Sequence, residues 1–165
     1  MTKIVLLGDG GVGKTLFVNT MKGIRFSPKY VPTLGVSVNN NYGESEISYW
    51  DTAGQEIWGG LKDGYIIESD IVVIMFAVDS KLSFSSVKSY IQDAKRILRD
   101  NAPIILCGTK VDMPNRKVDL DMVKDLITKT EKMDYYFEIS SKTGIGVQEL
   151  NNYLTSLSSS LSGKN

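Results

Sequence analysis

Gly8-Asp9-Gly10-Gly11-Val12-Gly13-Lys14-Thr15 is the stretch on which the fold turns. A glycine, four residues and Gly-Lys-Thr follow one another, directly after the apolar run Ile4-Val5-Leu6-Leu7. Behind it, residues 14–22 carry helical spacing. A glycine-rich turn between a strand and a helix lets successive backbone N–H groups converge on one anion. The helix N-terminus adds its partial positive charge. In that setting Lys14 reaches the outer phosphates of a nucleotide, and the Thr15 hydroxyl suits Mg²⁺. The stretch therefore predicts a phosphate-binding loop built from Asp9, Gly10, Gly11, Val12, Gly13, Lys14 and Thr15.

Working outward, strand-like and helix-like periods alternate along the chain. Strands are expected at residues 3–7, 70–79, 103–107 and 135–139, and a hairpin at 36–42 and 46–51 with its turn at Gly43-Glu44. Helices are expected at 14–22, 84–98, 120–129 and 146–157, with a serine-rich end from Ser156 onward that frays. Alternation of this kind specifies an α/β fold with helices on both faces of a sheet. No repeat or linker divides the 165 residues, so one domain over residues 1–165 is expected.

Composition removes several classes of function. Nineteen basic residues balance nineteen acidic ones, which argues against a nucleic-acid partner. The single cysteine, Cys107, excludes an internal disulfide, and the lack of histidine excludes Ser-His-Asp and Cys-His catalysis. The longest apolar run, 71–78, is far short of the about 20 residues that a spanning helix needs. The ends read as carrying no signal peptide, no myristoylation site at Thr2 and no prenylatable cysteine. A soluble intracellular protein with no membrane anchor is expected.

Three further segments fall after expected strands. Trp50-Asp51-Thr52-Ala53-Gly54-Gln55 puts Asp51 at a strand's carboxyl end, where a carboxylate joins a Mg²⁺ shell through water. Gly54 offers an N–H to the terminal phosphate, and the Gln55 amide can orient an attacking water. Gln55 and Lys14 are thus the candidate catalytic residues. Thr109-Lys110-Val111-Asp112 supplies a carboxylate that accepts two hydrogen bonds from the guanine edge and finds no such pair on adenine. The Lys110 stem lies along the base plane. Ser140, Ser141 and Lys142 can supply backbone N–H groups to the guanine carbonyl.

Taken together, the Gly8 to Thr15 loop, Thr33, Asp51-Thr52-Ala53-Gly54-Gln55, Thr109-Lys110-Val111-Asp112 and Ser140-Ser141-Lys142 resemble a Ras-type small GTPase across the whole chain. Within that superfamily the chain is most similar to the Ran family, on Lys29-Tyr30-Val31-Pro32-Thr33-Leu34-Gly35-Val36 and Gly59-Gly60-Leu61-Lys62-Asp63-Gly64-Tyr65. The resemblance implies a three-layer P-loop fold with a six-stranded mixed sheet, five strands parallel and one antiparallel edge strand. It implies GTP and GDP as ligands, Mg²⁺ as cofactor, and slow hydrolysis of GTP. It also implies that Phe26 packs on guanine, that Tyr30 covers the γ-phosphate, and that Thr33 joins Thr15 and Asp51 at the metal. The switches would be 27–36 and 54–64. Expected partners are an exchange factor, a GTPase-activating protein and effectors or transport receptors of a monomer that moves between nucleus and cytoplasm.

The chain departs from Ran in four ways. Thr109 stands where Ran has Asn, as in Rho-type relatives; Ile57 replaces a basic residue; the basic patch of the fourth helix is reduced to scattered Lys124, Lys129 and Lys132; and the usual C-terminal extension is lacking. A Rho- or Rab-like soluble GTPase and a scaffold that holds nucleotide without cycling are the alternatives. A P-loop kinase of small metabolites would need a lid and substrate pocket for which the chain has no spare length.

Overall fold

The computed structural model describes residues 1–29, 36–42, 45–52, 61–99, 101–131, 133 and 135–163. The expected turn at Gly43-Glu44 lies outside them, as do Tyr30, Thr33, Gly54 and Gln55. Six strands, β1 (Thr2–Leu7), β2 (Val36–Tyr42), β3 (Glu46–Thr52), β4 (Ile71–Ala77), β5 (Ile104–Thr109) and β6 (Tyr135–Glu138), form one sheet in the order β2-β3-β1-β4-β5-β6. Only β2 runs antiparallel to its neighbour; the other four pairings are parallel. This is the six-stranded mixed sheet that the sequence implies, with the antiparallel strand at its edge.

The helices are α1 (Lys14–Met21), α2 (Leu61–Ile66), α3 (Lys81–Ser85), α4 (Val87–Ile97), α5 (Leu120–Thr128) and α6 (Val147–Ser162). Strand side chains alternate between faces, and each set finds its own helices. Ile4, Leu6, Val73 and Met75 pack with Phe17 of α1 and with Leu150 and Leu154 of α6. Val5, Leu7, Ile74 and Phe76 pack with Val87 and Ile91 of α4 and with Val123 of α5. A strand buried on both faces reads as a continuous apolar run, and all seven residues of β4 are buried. Each such Ile or Leu contributes about 1.5–3 kcal/mol relative to exposure.

Three local expectations change. Residues 84–98 are not one helix: α3 and α4 meet at Ser86, and Ser80 caps α3 by accepting the Ser83 N–H. The short α2 has no expected counterpart. The serine-rich end does not fray at Ser156; α6 continues to Ser162. The hydroxyls of Ser159, Ser160 and Ser162 fold back onto carbonyls four residues earlier. Ser158 is buried against Thr2 at 2.6 Å, and Leu157 and Leu161 pack on the core, so tertiary contacts hold this turn.

Topology places the site. From β1 the chain leaves through α1 on one face, and from its neighbour β4 it leaves through α3 and α4 on the other. Adjacent strands that send the chain to opposite faces open a crevice at their carboxyl ends.

Candidate functional site

The glycine loop fills that crevice. Gly8 ends β1 so close to β4 that a Cβ there would strike the Met75 carbonyl oxygen. Only glycine lets the chain pass at this point. Gly13, at φ 105°, stands at the N-cap of α1 with no side-chain cap. Lys14 is 5% exposed. Its ammonium donates to the carbonyls of Gly8 at 2.5 Å and Asp9 at 3.0 Å, which arches the loop beneath it.

The Asp9 carboxylate faces away from the loop's interior. It accepts from the Ser86 hydroxyl at 2.7 Å and the Tyr90 hydroxyl at 3.0 Å, which ties the loop to α4. Of Asp9, the side chain is thus occupied elsewhere and only the backbone is left to face an anion.

Asp51 lies beside Leu6 in the β1–β3 register, and Thr52 donates to the Leu6 carbonyl at 2.8 Å. The Asp51 carboxylate is 1% exposed. Its Oδ2 accepts the Thr15 hydroxyl at 2.5 Å, whereas Oδ1 is buried with no hydrogen-bond partner among the described residues. Burial raises its pKa, opposed by the Thr15 hydrogen bond and the Lys14 charge. A buried carboxylate oxygen without a partner is costly. A hydroxyl that gives its proton to Asp51 keeps oxygen lone pairs for a cation. These hard oxygen donors fit Mg²⁺.

The second half of the site comes from the ends of β5 and β6. Thr109 is buried, and its hydroxyl lies 2.5 Å from the Val12 carbonyl and 3.2 Å from the Phe76 carbonyl. It braces the glycine loop against β4, so this hydroxyl is turned to the backbone and not to a base. Lys110 has a left-handed backbone, φ 60°, unusual for a residue with a side chain. The Ser140 hydroxyl donates to Asp112 Oδ1 at 2.8 Å and accepts the Thr143 N–H at 3.1 Å. The Ser140 N–H is spent on the Ile145 carbonyl at 2.9 Å. The expected backbone donor at Ser140 is therefore corrected: Ser140 aims Asp112, and Ser141 and Lys142 remain to face a ligand.

One cavity of about 830 Å³ joins the two halves. Gly10, Gly11, Val12, Gly13, Lys14 and Thr15 of the glycine loop line it, together with Phe26, Thr109, Lys110, Asp112, Ser141 and Lys142. Its size is that of a small-molecule or cofactor cleft. Ile24, Met113 and Asn19 also line it, and no short motif marked them. Nor did any motif mark Ser86, Tyr90 and Glu138, whose polar contacts hold the loops from behind; Arg116, the partner of Glu138, stands in Arg116-Lys117-Val118, a stretch similar to Ran that carried no role of its own.

An open α/β sheet with a phosphate loop at its switch point and a carboxylate-bearing pocket beside it defines a P-loop mononucleotide-binding domain. Over residues 3–158 the chain matches the Ras family, and it belongs to that family. It is accordingly a small GTPase switch, of a kind that works with exchange factors, GTPase-activating proteins and effectors. No helix among the described residues is long and apolar enough to cross a membrane.

Proposed function

We propose that the chain binds GTP and GDP with Mg²⁺, hydrolyses GTP to GDP and phosphate, and serves as a Ran-like switch in nucleocytoplasmic transport. The observation that carries the nucleotide reading is that one cavity is lined by Lys14 and Thr15 together with Asp112. Lys14 and the loop's backbone N–H groups stabilise charge on the phosphates. Asp112, aimed by Ser140, accepts from the ring N–H and exocyclic amine of guanine. Phe26 covers the base, and the Lys110 stem lies along it. Thr15 and Asp51 hold Mg²⁺, with Thr33 in the GTP state; the ion neutralises phosphate charge when bound. Gln55 orients the water that attacks the γ-phosphorus as the bond to the bridging oxygen breaks. Tyr30 and Gly54 face the γ-phosphate. The Ran assignment rests on the resemblance at 29–36 and 59–65.

Nucleotide analysis of the purified protein before and after incubation tests the reading. Bound GDP, and GTP lost at a rate on the order of 10⁻⁴ per second without an activator, are expected. Displacement of labelled GDP by ATP as readily as by GTP would overturn the guanine assignment. At the pathway level, capture of a transport receptor only with a GTP analogue is expected. Equal capture with GDP would refute the Ran role.

A further inference from the structure

The two base-side loops are joined behind the cavity by a polar cluster that does not line it. Arg116 follows Asp112 on the β5–α5 loop, and Glu138 ends β6 just before Ser140. The guanidinium grips the carboxylate with both arms, Nη1 to Oε1 at 3.0 Å and Nη2 to Oε2 at 2.5 Å. Its Nε donates to the Val118 carbonyl at 2.7 Å, so the fork is anchored at its base. The turn beneath is itself fixed, because the N–H groups of Lys117 and Val118 both reach the Val78 carbonyl. From the other side the Tyr136 hydroxyl donates to Glu138 Oε2 at 2.5 Å. Tyr136 lies across β5 so closely that a Cβ on Gly108 would meet its hydroxyl at 2.7 Å. Arg116 and Glu138 are about a third and a quarter exposed, respectively, and form a charge-assisted bidentate pair. By contrast, the direct links between the two loops near the cavity are Ser140 to Asp112 and the Val111 N–H to the Ile139 carbonyl at 3.3 Å.

We propose that Arg116, Glu138 and Tyr136 are positioning residues that set how long a bound guanine nucleotide stays, by fixing the separation of the loops that carry Lys110–Asp112 and Ser141–Lys142. The inference rests on the guanine-nucleotide reading above and adds the element that governs release. Breaking the clamp lets the loops part and frees the base. It leaves Asp112 able to select guanine and leaves the phosphate end untouched. Release and chemistry therefore separate.

The test uses the full chain loaded with N-methylanthraniloyl-GDP and chased with unlabelled GDP in Mg²⁺ buffer. Arg116→Ala and Glu138→Gln are each expected to speed release about tenfold, the scale of one charge-assisted contact. The double variant should be little faster than the faster single one, because both remove the same pair. Arg116→Lys keeps the charge without the fork and should fall between. Single-turnover hydrolysis of bound GTP and the preference for GDP over ADP should stay at wild-type values. Should Arg116→Ala fail to fold, Tyr136→Phe removes one hydroxyl from the same carboxylate and should still speed release. Wild-type release from these variants, fully additive effects, or hydrolysis falling in step with release would overturn the clamp. A wild-type chain that holds no labelled GDP at all would instead remove the base-site reading, and the clamp with it.

Discussion

Asp112 is a carboxylate that accepts one hydrogen bond from Ser140 and turns its remaining lone pairs to the cavity. A carboxylate only accepts, whereas an amide also donates. Asp112→Asn is therefore expected to move base choice from guanine toward xanthine, whose carbonyl stands where guanine has an amine. Competition among GTP, XTP and ATP checks this, and an unchanged preference for GTP would show that Asp112 does not read the base. Gly146 is sensitive for a different reason. It sits at φ 71° at the start of α6, and a Cβ there would run into the Glu138 carbonyl oxygen. Gly146→Ala should cost about 1–3 kcal/mol, as overpacking against backbone does, seen as a lower urea midpoint with an unchanged slope.

At the scale of elements, helix ends can be tested singly. Asp119 caps α5 by accepting the Met122 N–H at 2.9 Å. Asp119→Ala should cost about 1 kcal/mol and lower Tm by roughly 2–4 °C for a domain of this size. Thermal unfolding followed by circular dichroism measures it. Elements were legible in the sequence where one periodicity ran unbroken. The apolar run of β4 and the stripe Val87, Tyr90, Ile91, Ala94 in α4 are such cases. The break at Ser86 was not legible, because Phe84 and Val87 continue the stripe across it and both pack on the same core. Nor was α2, six residues with a glycine inside and too short to display a face. At the site, the chain-local motifs were legible because a phosphate loop needs its residues at fixed spacing. The contacts that hold those motifs, Asp9 to Tyr90 or Thr109 to Val12, join residues more than eighty positions apart, and no spacing announces them.

Glu138 makes one contribution to the whole molecule's response to acid. Burial alone would raise its pKa, but the hydrogen bonds from Arg116 and Tyr136 outweigh that and hold it below the ordinary 4.5. A carboxyl held low in the folded state stabilises the fold fully above its unfolded pKa and loses that stabilisation as pH falls through the folded value. Stability should thus decline below about pH 4.5, and the decline should be shallower in Arg116→Ala; urea titrations at a series of pH values compare the two. The pair is partly exposed, so added salt should weaken the effect. Nucleotide should act in the opposite sense. A ligand that binds only the folded chain, at a thousand times its Kd, adds about 4 kcal/mol, and chelating Mg²⁺ should remove part of the resulting rise in Tm.

The burial of β4 between β1 and β5 carries this one step further. Its amide hydrogens are shielded on both faces and bonded on both edges, so they reach solvent only when the entire domain opens. Deuterium should enter β4 last, at a rate set by global unfolding. Under that condition, bound nucleotide slows exchange there by the factor one plus ligand concentration over Kd. The centre of the sheet, which touches no ligand, then serves as an unlabelled gauge of affinity at the sheet's rim.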